Sequence, residues 1–240
     1  MDWRESGRSF KRGLRLLKKY AEKNVQRVHL LKYEAVWETF LGIGLPQVIV
    51  EVGSFDGLDA LEFSRMFPSA KVYAFEADPR NFKVVKKNTS LREQIIPVPQ
   101  AVFDFTGQGI FHASGGDHGA SGSMLIPCPI FSDTFPHITF DEQFQVDTTT
   151  LLDWSQQNRV DKIDFIWMDA QGAELHILQG MGGLLHELQV VLLEVWRHPY
   201  YEGSGVLDQI RAYLRGFGFY QSHSWMDGDA GDALFQKARG

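Results

Sequence analysis

Apolar positions along this chain follow two periods in turn, runs that fill a buried strand and three- or four-residue spacings that fill one helix face. The apolar run Val48–Val52 reads as a strand leading to a helix over about Leu58–Met66, which Pro68 stops. Val72–Phe75 reads as the next strand. It leads to a helix with Pro79 in its first turn, where proline fits, running to about Asn88. Short strands are expected at Ile95–Val98 and Ala101–Phe103. After a break the rhythm resumes with helix Thr150–Gln157, strand Asp164–Met168, helix Ala173–Gln179, strand Val190–Val195 and helix Val206–Leu214. Phe217–Gln221 and Ala233–Lys237, separated by a Gly/Asp loop, read as a closing pair of strands. Alternation of this kind predicts an α/β fold on a parallel sheet. Neither an internal repeat nor a linker to a second independent domain is visible.

Two segments depart from the rhythm. Residues 104–147 are rich in Gly, Ser, His and Pro, with short strands expected at Gly109–His112 and Phe144–Asp147. A long insertion at the edge of such a sheet is where substrates are commonly gripped. At the other end, Phe10, Leu14, Leu17 and Ala21 recur at helical spacing, and Val25, Val28 and Leu31 extend the stripe. Tyr33–Leu41 reads as a further helix, closed by Gly42 and Gly44 with Pro46 beyond. The expected organisation is a basic helical N-terminal extension over 1–45 and one domain over 46–240.

Charge sharpens that division. Residues 1–32 carry ten Lys/Arg against three acids, a net of +7, while the remainder carries 14 against 27, or −13. A basic arm suits an anionic substrate, nucleic acid or a membrane surface. The helical stripe favours a simpler reading, a packed helix with a charged outer face docked on its own acidic body. Among the 240 residues a single cysteine, Cys128, excludes an intrachain disulfide and a multi-cysteine zinc cluster. No apolar run approaches the ~18 residues of a membrane span, and no secretory signal is read, so a cytoplasmic protein is expected.

The densest chemistry lies in I-V-E-V-G-S-F-D-G, residues 49–57, followed by Glu76 at the end of the next strand. Gly53 permits a tight turn, Gly57 a close helix start, and Glu76, 23 residues beyond Gly53, can accept both hydroxyls of a ribose. A dinucleotide wants G-x-G-x-x-G so that pyrophosphate can rest on the helix N-terminus. Here Asp56 stands in that path and one glycine is missing. An acid there repels phosphate but attracts the ammonium and sulfonium of S-adenosylmethionine, which is therefore the expected cofactor rather than NAD. A second strand-to-helix switch, I-D-F-I-W-M-D-A-Q-G-A-E at 163–174, ends its strand on Asp169, and Glu194 ends the strand after it with His198 four residues on. Residues leaving neighbouring strands at one edge converge on one crevice.

Four blocks together resemble the FkbM family of S-adenosylmethionine-dependent methyltransferases: E-V-G-S-F-D-G with the later F-E-A-D-P, T-T-T-L-L-D-W at 148–154, D-F-I-W-M-D-A-Q-G-A-E-L-H-I-L-Q-G at 164–180, and L-L-E-V at 192–195. They follow the family's order. The resemblance implies a class I, Rossmann-like methyltransferase fold: a seven-stranded, mostly parallel sheet with an antiparallel last strand. It implies methylation of hydroxyls on sugars of glycoconjugates or on natural products. It places Glu51, Gly53, Ser54, Asp56 and Gly57 at the methionine end of the cofactor, Glu76 with Ala77 at the ribose, and Gln100, Ala101 and Val102 beside adenine. Asp169 corresponds to the acid next to the transferring methyl. Many members carry lysine two residues before that acid. Here Trp167 replaces it, which removes a lysine from that position and offers an aromatic to flank cofactor or substrate.

The expected reaction is an in-line displacement by a substrate oxygen, with a base within hydrogen-bond reach. Asp169 is the first candidate base, then Glu194 and His198. His118, Ser121 and Ser123 of the insertion, with Gln171 and Glu174, are expected on the substrate side. No acid spacing demands a metal, and none is expected. The acceptor is expected to be a small molecule or glycan. An RNA methyltransferase using the basic arm, in which RNA would want stacking aromatics beside positive charge, and a non-catalytic nucleoside-binding module are the alternatives. Nucleic acid is not the expected partner.

Overall fold

Seven strands form the central sheet of the computed structural model, which describes residues 24–115 and 119–238. In chain order they are β1 (Val48–Val52), β2 (Lys71–Phe75), β3 (Ile95–Val98), β7 (Phe165–Met168), β8 (Val190–Trp196), β9 (Phe219–Asp227) and β10 (Ala230–Lys237), laid side by side as β3-β2-β1-β7-β8-β10-β9. The first five are parallel, and the chain's last strand, β10, inserts antiparallel between β8 and β9. This is the expected sheet. The order reverses between β1 and β7, and that switch point opens a crevice at the C-terminal ends of both strands.

Alternate residues of each strand feed opposite layers, which is why these strands read as nearly continuous apolar runs. Val50, Val52, Ile166 and Met168 pack under α5 (Leu151–Asn158), α6 (Glu174–Gln179) and α7 (Leu207–Gly216). Ile49, Phe165, Trp167 and Leu192 pack under α1 (Asn24–Ile43) and α2 (Leu58–Met66), with α3 (Pro79–Thr89) flanking. The helix expected over Tyr33–Leu41 is the second half of α1, continuous through Val25, Val28 and Leu31 rather than a separate element. Phe10, Leu14, Leu17 and Ala21 lie outside the described residues. Val36, Trp37 and Phe40 of α1 are fully buried, and Phe40 meets Phe67 and Phe165 edge-on at 5.3 and 5.9 Å. The second half of α1 is therefore part of the core, not a solvated appendage.

The insertion organises itself. β4 (Ala101–Val102), β5 (Gly107–Ala113) and β6 (Glu142–Thr149) make a small sheet in the order β4-β6-β5, the last two in chain order longer than the strands expected there and β4 one residue shorter. The hydropathy pattern did not reveal α4 (Pro129–Thr134), whose Phe131 is buried among Tyr200, Tyr201 and Phe140. This second layer folds over the open side of the crevice.

Candidate active site

The turn after β1 is pressed against the turn after β7. Gly53 has φ +82°, and a Cβ there would sit 1.9 Å from the Asp169 carbonyl oxygen, so only glycine lets the two turns meet. Gly57, φ +79°, starts α2 against Thr89 and Val85. Between these turns, the end of β2 and the insertion lies a cavity of about 430 Å³.

Glu76 dominates one wall. Phe55 N donates to its Oε2 at 2.7 Å and Asp78 N to its Oε1 at 2.8 Å, leaving further lone pairs on both oxygens. Burial lifts its carboxyl to about 7. Beside it, Ala77, Gln100, Ala101, Val102, Phe111 and Met124 form a largely apolar slot. Towards the other end lie Gly53, Ser54, Asp56, Asp59 and Asp169. Asp56, Asp59, Glu76 and Asp169 thus line the cavity, and no Lys, Arg or His does so among the described residues. Four carboxylates without a cation disfavour a pyrophosphate strongly and welcome a sulfonium and an ammonium. A buried carboxylate with free lone pairs, an apolar slot and an acidic far end together fit S-adenosylmethionine.

Asp169 is partly buried at the cavity floor, and burial raises its carboxyl to about 6 while a hydrogen bond from Gln171 restrains the rise. Gln171 Nε2 donates to Asp169 Oδ1 at 2.7 Å and to Glu194 Oε2 at 2.8 Å, tying the two acids together. Burial, with Asp169 next to it, pushes Glu194 well above the usual carboxylate range. Gln171 is itself strained at φ +51° and clamped by Tyr201, whose single hydroxyl proton is shared between the Ser121 carbonyl at 2.9 Å and Gln171 Oε1 at 3.1 Å.

Other expected site residues stand elsewhere. Glu51 is fully buried and not on the cavity wall; it accepts a hydrogen bond from Ser54 Oγ one layer behind, because alternate residues of β1 face α1 and α2. Glu174 is 1% exposed and off the cavity, accepting from Ala170 N at 2.8 Å to brace the β7–α6 turn. Ser123 is equally buried, its hydroxyl committed to the Gln171 carbonyl, and Ser121 contributes backbone only to the contacts described. Gly119, Ala120 and Gly122, with Phe111 and Met124, bring the insertion to the cavity instead. His198 is 61% exposed, 3.7 Å from Asp229 and away from the cavity, since β8 ends two residues earlier and the chain turns outward. His118 lies outside the described residues. Trp167 does not flank the cavity either. It is 3% exposed, its indole N–H donating to Asp59 at 3.2 Å. A lysine does reach this place, from α1: the Lys32 ammonium sits 4.7 Å from the Trp167 ring centre.

Tyr33, Asp59 and Asn81 line the cavity without having been singled out from the sequence. Each lies on a helix where a polar residue reads as surface or dipole complement. Only the packing of α1 and α2 over the sheet edge turns Tyr33 and Asp59 inward, where the Tyr33 hydroxyl donates to Asp59. Among the described residues no cluster of His, Cys, Asp or Glu could hold a metal ion, and no helix is long and apolar enough to cross a membrane.

Comparison with known proteins gives the family of the chain. Residues 51–220 match the Methyltransferase FkbM domain. The 2-O-methyltransferase NoeI of Sinorhizobium fredii is 33% identical over 175 residues, covering 71% of this chain and 72% of that protein. Methyltransferase sdnD of Sordaria araneosa is 27% identical over 193 residues, covering 71% and 73%. Among solved structures, the N-terminal domain of EvdMO1 with SAH and D-fucose superposes at a TM-score of 0.47 with 12% identity, over 87% of this chain and 82% of that one. That likeness is too remote to bear on chemistry or acceptor. The domain match spans most of the chain and includes both glycine turns, Glu76 and Asp169; the chain belongs to the FkbM methyltransferase family.

Proposed function

We propose that this enzyme transfers a methyl group from S-adenosylmethionine to a hydroxyl of a sugar, a glycoconjugate or a small natural product. The observation that carries the reading is the cavity lining: a buried carboxylate at the end of β2, an apolar slot beside it, and, among the described residues, acids without a cation at the far end. When bound, S-adenosylmethionine supplies an electrophilic methyl whose leaving group is a neutral thioether. Glu76 accepts the ribose hydroxyls, Gln100, Ala101 and Val102 border the base, and the Gly53 turn lets the backbone approach the methionine moiety. Ser54 and Asp56 face its charged end.

Asp169 takes the acceptor's proton in this reading. A carboxyl near 6 is ionised at neutral pH yet basic enough to accept a proton that an alcohol releases late. Gln171 fixes its orientation, and Glu194, held towards its neutral form by the same burial, leaves Asp169 as the charged partner of the pair. The residues' main task is alignment, bringing the acceptor oxygen within ~3–3.5 Å of the reacting carbon. The kinship with a 2-O-methyltransferase supports a hydroxyl oxygen as the atom methylated.

Calorimetry with S-adenosylmethionine and with NAD tests the cofactor; binding of NAD and not of the methyl donor refutes the reading. A panel of glycans, glycolipids, hydroxylated metabolites and RNA, read by mass spectrometry for gain of one CH₂, tests the acceptor. Methylation of RNA alone would overturn it.

A further inference from the structure

Behind Asp169 the sheet carries a second polar group that the transfer step does not itself use. Lys32, on α1, is 4% exposed, and its ammonium lies 2.9 Å from Asp232 Oδ2 and 4.7 Å above the Trp167 ring. Asp232 on β10 stands directly opposite Glu194 on β8, a placement that brings two carboxylates to roughly 5 Å between Cβ atoms. Glu194 shares the Gln171 amide with Asp169, and Trp167 precedes Asp169 by two residues on β7. A continuous path therefore runs from Lys32 through Asp232, Glu194 and Gln171 to Asp169.

Charge explains why a lysine is buried here. The acids around Asp169 come from every element that meets at the edge: Glu76 after β2, Asp59 on α2, Glu174 on α6, Glu194 on β8 and Asp232 on β10. Of these, Asp232 and Asp59 disfavour a negative charge on Asp169, while the charge of Asp169 pushes Glu76, Glu174 and Glu194 towards their neutral forms. Lys32 acts in the opposite sense, and its burial leaves that influence little screened by water.

We propose that Lys32 is a positioning residue of the transfer site, an ammonium built into the floor behind Asp169 that keeps this carboxyl in its proton-accepting form. The inference rests on reading Asp169 as the proton acceptor. It also gives α1 a part in the chemistry, since the helix must be docked for Lys32 to reach Asp232.

The test is the titration of the Asp169 carboxyl by carbon NMR in the full chain labelled at aspartate, its resonance assigned by its loss in Asp169→Asn. Lys32→Met raises the midpoint by about one pH unit, a ten-fold loss of the ionised form at a fixed acid pH, and Lys32→Arg returns it to within a few tenths. A purely structural Lys32 would lower the thermal midpoint of Lys32→Met and leave the Asp169 titration in place, and that result overturns the proposal. If Lys32→Met does not fold, Lys32→Gln removes the charge while keeping a hydrogen bond to Asp232, with the same two outcomes. The titration needs neither donor nor acceptor, so its failure is separate from failure of the reading of Asp169 as proton acceptor, which would appear as undiminished turnover in Asp169→Asn.

Discussion

Replacing Glu76 tests the cofactor assignment and the electrostatics of the cavity together. Its carboxylate accepts one backbone N–H on each oxygen and is lifted by burial from 4.5 to about 7. At ~1.4 kcal/mol per unit, that rise corresponds to about 3 kcal/mol of native-state preference for the protonated form. Because the folded value lies above the unfolded one, this stability is present in full below about 4.5 and is lost as pH rises through about 7. Ribose hydroxyls donating to Glu76 favour the ionised form, so affinity for S-adenosylmethionine increases as pH rises from about 6 to about 8. Two hydrogen bonds to a charged acceptor, at ~1.5–3 kcal/mol each before the water they displace, make a loss of roughly 100-fold in affinity the expectation for Glu76→Ala. Glu76→Gln weakens binding about ten-fold and flattens the pH dependence. Without ligand, Glu76→Gln matches or exceeds the parent's stability above pH ~8, where the buried charge is gone, and falls below it near pH ~5, where only the lost N–H acceptor counts. Calorimetric titrations across this range and thermal melts at its two ends read these outcomes. Affinity within about three-fold of the parent in Glu76→Ala would refute the ribose role.

Three further substitutions probe different levels of the structure. Gly53→Ala forces a Cβ to within 1.9 Å of the Asp169 carbonyl at a left-handed φ, so cofactor binding falls below detection and the melting temperature drops by several degrees. Asp169→Asn removes the proposed base and lowers turnover by about 10²–10⁴, while calorimetry finds cofactor affinity reduced by less than about ten-fold. Phe40→Ala, at a fully buried ring wedged between Phe67 and Phe165, costs roughly 3–5 kcal/mol in chemical denaturation, because α1 is part of the core.

The fold was written in the chain because its signals are local. Apolar runs of strand length, Pro79 at a helix start, and glycines at 53 and 57 act within a few residues of themselves, and the five parallel strands were legible from them, whereas β9 continues to Asp227 through polar residues expected as loop. The short helix Pro129–Thr134 escaped because it is held by Phe131 among aromatics far along the chain, not by a periodicity of its own. Motif spacing likewise located Gly53, Glu76 and Asp169, since residues at the ends of neighbouring parallel strands must share an edge.

What no local pattern could decide is which way each side chain turns once layers pack. Glu51 follows the alternation of β1 away from the cavity, and Glu174 and Ser123 spend their polar groups on bracing turns. His198 swings outward past the end of β8. Conversely, Tyr33, Asp59 and Lys32 sit on helices whose polar residues look solvated until α1 and α2 close over the sheet edge. The residue order thus determined the sheet, the turns and the carboxylates that meet there, because backbone geometry transmits over a few residues. Only tertiary packing decided which charges face one another across the site, because electrostatic partnership depends on distance in space and on exclusion of water, and the pairs that matter come from segments as far apart as Lys32 and Asp232.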